Sequence, residues 1–121
     1  MSHMQTFLIL EDEPLIAMDL KYAFEDLDLH AVVAADNAEA LSCIEKHTIA
    51  GAILDVSLGG GETCQPTARE LTKRSIPFLL HTGDLNRVGE RLRDIEAPVI
   101  AKPRPSDHVV KQLLGMIGEG A

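Results

Sequence analysis

Three acidic residues follow two short apolar segments, and this placement could support metal-dependent chemistry. Glu11 and Asp12 come directly after the apolar segment 6–10, and Asp55 comes directly after the apolar segment 52–54. If both segments are strands of one parallel sheet, their carboxylates meet at the same edge. Like charges brought together are unfavourable unless a cation lies among them, and hard divalent cations prefer carboxylate oxygens. The sequence therefore predicts a divalent-metal site, and a metal beside a lone aspartate indicates phosphoryl chemistry.

The elements that must position these residues alternate along the chain. Short apolar runs, typical of strands buried on both faces, lie at 7–10, 31–35, 49–54, 76–81 and 98–101. Apolar residues at helical spacing predict helices at 14–27, 37–46, 66–74, 84–93 and, after a cap at Ser106, up to 117. Asp36 or Asn37 can cap the second helix. Five strands alternating with five helices imply an α/β fold with a parallel sheet and helices on both faces.

Five reactive side chains fall at the carboxyl ends of these predicted strands. They are Glu11, Asp12, Asp55, Thr82 and Lys102. Taken singly, each has a plainer interpretation: the first two acids could simply begin a helix, the third could form a turn, the threonine could cap the next helix, and the lysine could be a solvated charge. Taken together at one edge, where ligands bind in such sheets, they favour a functional site.

The same residues resemble the receiver domain of two-component response regulators, over residues 6–117. The matching features are the acidic pair, the aspartate that ends the third strand, Thr82-Gly83 after the fourth strand and Lys102-Pro103 after the fifth. The segments 77–83 and 11–15 are also similar to an alphaproteobacterial subgroup with a Phe-Ala-Thr-Gly stretch. The resemblance implies a flavodoxin-like, doubly wound fold, (βα)5, with strand order 2-1-3-4-5. Residues 4–118 are expected to form this domain, and residues 1–3 to be a cloning remnant.

The resemblance also implies a role for each site residue. Asp55 is the expected phosphoacceptor, and Mg²⁺ is the expected metal. By resemblance, Asp12 and Asp55 bind the metal directly, Glu11 acts through water, and the backbone carbonyl of Ser57 adds a ligand. Lys102 is expected to pair with Asp55 at rest and with a phosphoryl oxygen afterwards.

The remaining implied roles concern the neighbours of that phosphoryl group. Thr82 offers its hydroxyl to a second phosphoryl oxygen, and Gly83 leaves room for the backbone to approach. The Lys102-Pro103 peptide bond is cis in many receivers, and in this chain either isomer stays open.

The chain departs from the family pattern in three places. Val99 stands where receivers usually carry Tyr or Phe, so either the output face is read differently, or phosphorylation moves it less, or the residue only packs in its strand. The loop 58–61, Leu-Gly-Gly-Gly, replaces the usual Met-Pro and is expected to be mobile or to form an anion-binding nest. His81 replaces a small residue and is either a packing residue or a pH sensor.

Composition excludes several classes of partner. The net charge of −8, from 11 basic and 19 acidic residues, argues against binding nucleic acid or anionic lipid. No apolar run reaches the length of a bilayer span, and no signal peptide opens the chain, so a cytoplasmic protein with Cys43 and Cys64 reduced is expected. The four histidines after residue 3 share no metal-ligand spacing.

Three functions remain to be distinguished. The first is a receiver that accepts phosphate from a histidine kinase or histidine phosphotransferase and signals by binding an output protein, as a monomer or a phosphorylation-dependent dimer. It would not be an enzyme in the sense of turning over a free substrate. The second is an aspartate-dependent phosphatase, which usually needs an acid where this chain has Ser57. The third is a receiver-like binding module that is never phosphorylated.

Overall fold

The computed structural model describes residues 5–83 and 95–120, which build a five-stranded parallel sheet flanked by helices. The strands are β1 (Thr6–Leu10), β2 (His30–Ala34), β3 (Ile49–Asp55), β4 (Phe78–Thr82) and β5 (Val99–Ala101). Their order across the sheet is β2-β1-β3-β4-β5, and every neighbouring pair is parallel. The predicted flavodoxin-like strand order is confirmed. All five carboxyl ends therefore lie at one edge of the sheet.

Helices cover both faces of the sheet. The described helices are α1 (Pro14–Glu25), α2 (Asn37–Lys46), α3 (Gln65–Lys73) and α4 (Ser106–Gly120), with a short 3-10 turn at Gly59–Gly61. The predicted helix at 84–93 lies outside the described residues. Helices α1 and α4 pack on one face, while α2 and α3 pack on the other. No helix within the described ranges combines the length and apolar character that crossing a membrane requires.

The central strand β1 shows why the sequence forms this arrangement. Its side chains alternate between the two faces, so Phe7 and Ile9 pack against α1 and α4 while Leu8 and Leu10 pack against α2 and α3. All five of its residues are buried. The ring of Phe7 stacks on Phe24 of α1 with centroids 4.9 Å apart. A strand that is buried on both faces is expected to be largely apolar, and β1 is apolar from Phe7 to Leu10.

Several element boundaries differ slightly from the sequence predictions, for local reasons. Strand β4 begins at Phe78 rather than 76, because Pro77 has no N–H to donate, although its carbonyl accepts from the N–H of Ala52 at 3.1 Å. Helix α1 ends at Glu25 rather than at residue 27, and Asp28 just beyond it has a positive φ of 59°. Helix α4 includes Ser106 as its first residue, whereas the sequence predicts Ser106 as the cap that precedes the helix.

Candidate functional site

The three acidic residues meet at the carboxyl edge of the central strands. Strands β1 and β3 pair in register, with Leu10 opposite Leu54, so the residues that end them lie side by side. One carboxylate oxygen from each of Glu11, Asp12 and Asp55 lies within 4.8 Å of the others. Glu11 is 2% exposed and Asp55 is 6% exposed. The arrangement expected from two strand ends is thus present in the fold.

Lys102 reaches the same cluster from the end of β5. Its ammonium nitrogen Nζ lies 2.8 Å from Oε1 of Glu11 and 3.5 Å from Oδ2 of Asp55. The resemblance predicts a pairing of Lys102 with Asp55, and the shorter contact of the ammonium is with Glu11. The Lys102–Pro103 peptide bond is cis. A single cation thus bridges two of the three acids.

Burial and charge shift the ionisation of this cluster. Burial, a hydrogen bond with Glu11 and the negative charges of Glu11 and Asp12 raise the pKa of Asp55 to about 8, although Lys102 opposes the shift. Burial lowers the pKa of Lys102, but the hydrogen bond to Glu11 and the attraction of Asp55 outweigh it, so the net shift is upward. The lysine therefore stays charged while Asp55 favours its protonated form.

Thr82 and His81 end the neighbouring strand β4, and their side chains are buried. The carbonyl of Thr82 accepts a hydrogen bond of 2.8 Å from the N–H of Lys102, which ties the ends of β4 and β5 together. Neither ring nitrogen of His81 has a hydrogen-bond partner among the described residues. Burial, together with the charges of Lys102 and Arg104, lowers the pKa of His81 against an opposing effect of Glu11. His81 thus lies uncharged beside the site at neutral pH.

The glycine-rich loop after Asp55 folds back on itself beside the acids. Ser57 and Thr63 form an antiparallel bridge, and the N–H of Leu58 donates to the carbonyl of Glu62 at 2.8 Å. Gly60 and Gly61 have φ values of 73° and 79°, which favour glycine. A Cβ added at Gly59 would lie 3.6 Å from Oδ2 of Asp12. The loop is therefore folded as a compact hairpin beside the acidic cluster.

The buried amide of Asn37, which the sequence predicts only as a candidate helix cap, holds this hairpin in place. The side chain of Asn37 donates from Nδ2 to Oε1 of Glu62 and, at 2.8 Å, to the carbonyl of Thr63. Its Oδ1 accepts a hydrogen bond of 2.7 Å from the hydroxyl of Thr67. The cap of α2 is provided instead by Asp36, whose Oδ1 accepts from the N–H of Glu39 at 2.8 Å. No spacing signal could have revealed these contacts, since 25 residues separate Asn37 from Glu62.

The remaining residues singled out in the sequence lie around the site in different settings. Val99, at the usual aromatic position, is 38% exposed on the short strand β5. Cys43 and Cys64 are free thiols, half-buried and buried respectively. Burial and the charge of Asp55 raise the pKa of Cys64 to about 12, so this thiol is unreactive in the closed loop. The Oγ of Ser57 is buried and has no hydrogen-bond partner among the described residues.

The donor set of the cluster fits a hard divalent cation. It consists only of carboxylate oxygens, and three acids stand against the one ammonium of Lys102. Mg²⁺ is typically bound by one or two carboxylates together with waters and phosphate oxygens. Asp12 and Asp55 are the acids whose carboxylates Lys102 leaves most open, because Glu11 makes the shorter contact with the ammonium. A possible Mg²⁺ site therefore lies at the carboxyl ends of β1 and β3.

Comparison with known structures places this fold and site in one class of protein. The solution structure of SdrG from Sphingomonas melonis Fr1 is 43% identical, with a TM-score of 0.77, and covers 97% of this chain and 98% of its own. The BeF3-activated conformation of SdrG, from Pseudomonas melonis Fr1, is 44% identical, with a TM-score of 0.73, and covers 97% and 99%. A scan against protein-family models found no match, and a search of curated proteins found none either.

A more distant match shares the fold. It is the receiver domain of the sensor histidine kinase PA1611 from Pseudomonas aeruginosa PAO1, which has a magnesium ion coordinated in its active site cleft. This domain is 20% identical, with a TM-score of 0.82, and covers 96% of this chain and 99% of its own. The chain belongs to the response regulator receiver domains of two-component signalling. Among these, SdrG is similar to it over nearly its full length.

Proposed function

We propose that this receiver accepts a phosphoryl group on Asp55 in a Mg²⁺-dependent reaction, from a phosphohistidine of a histidine kinase or histidine phosphotransferase. The observation that carries the proposal is the convergence of three carboxylates within 4.8 Å, with the ammonium of Lys102 bridging two of them. Support also comes from SdrG, which has a BeF3-activated conformation, because beryllofluoride resembles a phosphoryl group. The magnesium ion in the cleft of the PA1611 receiver supports the choice of metal.

In the proposed reaction Asp55 would release its proton to solvent as the metal binds, and an oxygen of its carboxylate would attack phosphorus. A P–O bond forms, the P–N bond to the donor imidazole breaks, and the imidazole leaves with the electron pair and takes up a proton. Asp12, Asp55 and the backbone carbonyl of Ser57 would hold Mg²⁺, and Glu11 would act through water. When bound, the metal offsets the repulsion between the carboxylates and the incoming phosphoryl oxygens.

The chain's own cation and hydroxyl would stabilise the product. Lys102 lies 3.5 Å from Asp55, so only a short movement is needed for its ammonium to contact a phosphoryl oxygen on that residue. Thr82 ends the adjacent strand β4, where its hydroxyl would contact a second phosphoryl oxygen. Glu11 would release the lysine from their 2.8 Å contact as the new anion forms.

We further propose that the protein is a phosphoacceptor, which assists its own phosphorylation and dephosphorylation, and not an enzyme acting on free phosphoesters. Its output would be the binding of another cytoplasmic protein, by a monomer or a phosphorylation-dependent dimer. Ser57 stands where aspartate-dependent phosphatases usually carry their general acid, which disfavours turnover of small phosphoesters.

The experiment that tests the proposal is phosphorylation by acetyl phosphate, followed by a phosphate-affinity gel. The wild-type protein is expected to give a shifted band with Mg²⁺ and none with EDTA. Asp55→Asn keeps the shape of the side chain but removes the nucleophile, so no shifted band is expected from this variant. Asp19→Asn is the matched control, because Asp19 is an exposed aspartate of α1 outside the acidic cluster.

Two outcomes would overturn the proposal. If neither acetyl phosphate nor a cognate kinase gives an Asp55-dependent band, the protein is a receiver-like binding module. If the protein releases phosphate from a generic phosphoester over many turnovers, it is a phosphatase.

A further inference from the structure

We propose that Asn37 and Glu62 are positioning residues that hold the glycine-rich hairpin against the metal site and thereby set the affinity for Mg²⁺. The hairpin comprises residues 57–63, between β3 and α3. The inference rests on the proposed function, because the metal is the one that the proposed phosphorylation requires. It extends that function by assigning a role to two residues distant from Asp55 in sequence.

The contacts between these residues form a closed network. Glu62 accepts at Oε1 from the side chain of Asn37 and, at 3.3 Å, from its backbone N–H. Asn37 in turn donates to the carbonyl of Thr63 and accepts from Thr67. Asn37 is 5% exposed and Thr67 is fully buried, whereas Glu62 is exposed, so the bond between Asn37 and Thr67 is the best shielded from water. One amide thus joins the start of α2, the end of the hairpin and the first turns of α3.

Capping of α2 does not account for this network. Asp36 already provides the side-chain cap of that helix. The amide of Asn37 is directed instead at residues 62, 63 and 67, which belong to the hairpin and to α3. A buried amide is unfavourable unless its donors and acceptor are satisfied, and here the hairpin and α3 satisfy all of them. The network therefore specifies where the hairpin lies.

The position of the hairpin matters because it lies next to the acids. Residue 57 follows Asp55 by two positions, and Gly59 approaches the carboxylate of Asp12. Three consecutive glycines give the free loop many conformations, so an unfastened loop would leave its place beside Asp12 for much of the time. Residues that orient metal ligands from outside the ligand set typically affect affinity by 10- to 100-fold.

The test compares four variants for Mg²⁺ affinity by calorimetry and for amide hydrogen exchange in EDTA. Glu62→Ala removes both the acceptor and the charge, and it should weaken Mg²⁺ binding about tenfold. Glu62→Gln removes only the charge and keeps an acceptor for Asn37, so it should bind within about twofold of the wild type. Thr67→Val changes no charge but removes the hydroxyl that donates to Oδ1 of Asn37. It should weaken Mg²⁺ binding about threefold.

The fourth variant, Glu25→Ala, controls for the lost charge. Glu25 is exposed at the far end of α1, about 18 Å along that helix from the site. It should leave Mg²⁺ affinity unchanged. In EDTA, the amides of Leu58 and Cys64, which close the hairpin, should exchange faster in Glu62→Ala than in the wild type or in Glu62→Gln.

Equal losses of affinity in Glu62→Ala and Glu62→Gln would overturn the inference, because charge alone would then explain them. Wild-type affinity in Glu62→Ala would overturn it as well. Thermal unfolding of each variant verifies that the fold is retained. If the wild type itself binds no Mg²⁺, the proposed function fails. The inference fails separately if the exchange of Leu58 is unchanged in Glu62→Ala.

Discussion

The central strands and the edge strand of the sheet contribute to the site in different ways. Strand β1 is buried along its whole length, and β3 is buried except for one half-buried residue. Strand β5 has three residues, of which only Ile100 is buried. The acids follow the central strands, whereas Lys102 follows the edge strand. The acidic half of the site, proposed to bind the metal, is thus built into the core, and the half proposed to contact the phosphoryl group lies at the edge of the sheet.

The difference indicates how each half is kept in place. Packing on both faces fixes the acids, because any movement of β1 or β3 would disturb the core. Packing contributes less at Lys102, which is held by its ion pairs with Glu11 and Asp55 and by its backbone bond to Thr82. The ammonium can exchange these contacts for a contact with a new anion, which would replace the carboxylates as its partner. We therefore expect the acids to keep their positions and the side chain of Lys102 to move when a phosphoryl group is added to Asp55.

The largest expected effect is the difference in stability between a variant of the central strand β3 and a variant of the edge strand β5. Leu54 is fully buried in β3, so Leu54→Ala should lower the free energy of unfolding by about 3 kcal/mol. Val99→Ala in β5 should lower it by less than about 1 kcal/mol, because its side chain is 38% exposed. Urea unfolding in EDTA measures both. Similar losses would mean that β5 contributes to the core as much as β3 does.

A second experiment separates metal binding from phosphorylation. Lys102→Ala should slow phosphorylation by acetyl phosphate by about 100-fold, because the positive charge beside Asp55 is lost. Mg²⁺ affinity should be unchanged or higher, because the variant removes a cation that competes for the acids. Lys111→Ala, an exposed lysine of α4, is the control. Loss of Mg²⁺ binding in Lys102→Ala would show that the two halves are not independent.

The smallest expected effect is a dependence of stability on pH. Because the pKa of Asp55 is raised to about 8 in the folded protein, the folded state retains a proton that the unfolded chain releases near pH 4. The stability that this group contributes is therefore full below about pH 4 and is lost as the pH rises to about 8. Asp55→Asn, which cannot ionise, should raise the Tm at pH 8 in EDTA by at least about 4 °C.

The control for this measurement is the same comparison at a lower pH. At pH 4.5 the difference in Tm between Asp55→Asn and the wild type should be small, because the wild type has then lost only a small part of the stability that the protonated Asp55 contributes. A difference that is the same at pH 4.5 and pH 8 would exclude ionisation of Asp55 as its cause.

The sequence was sufficient to predict the parallel α/β fold and the residues at its carboxyl edge. Buried central strands are apolar throughout, so the residue that ends each one stands out, as Glu11 and Asp55 do. The start of β4 was less predictable. Pro77 accepts a hydrogen bond from β3 through its carbonyl but has no N–H to donate, so the strand begins one residue later. The preference of Lys102 for Glu11 over Asp55 depends on distances that a linear pattern does not contain.

The arrangement of the loop could not be predicted for a different reason. Three glycines indicate conformational freedom, which is compatible with many loop conformations. In the folded chain two of them allow the positive φ angles of a tight hairpin. The residues that fasten the hairpin, Asn37 and Glu62, are common polar types that mark no motif, and only the tertiary fold brings them together.

The burial of Cys64 gives the protein an internal reporter. Its N–H bonds to the carbonyl of Val56 at 3.1 Å, at the base of the hairpin, and its side chain is fully shielded, whereas Cys43 is half-buried on α2. A thiol-specific dye can reach Cys64 only when this segment detaches. The rate at which Cys64 reacts with the dye would therefore measure how often this segment detaches, and the reaction of Cys43 in the same protein would serve as the reference.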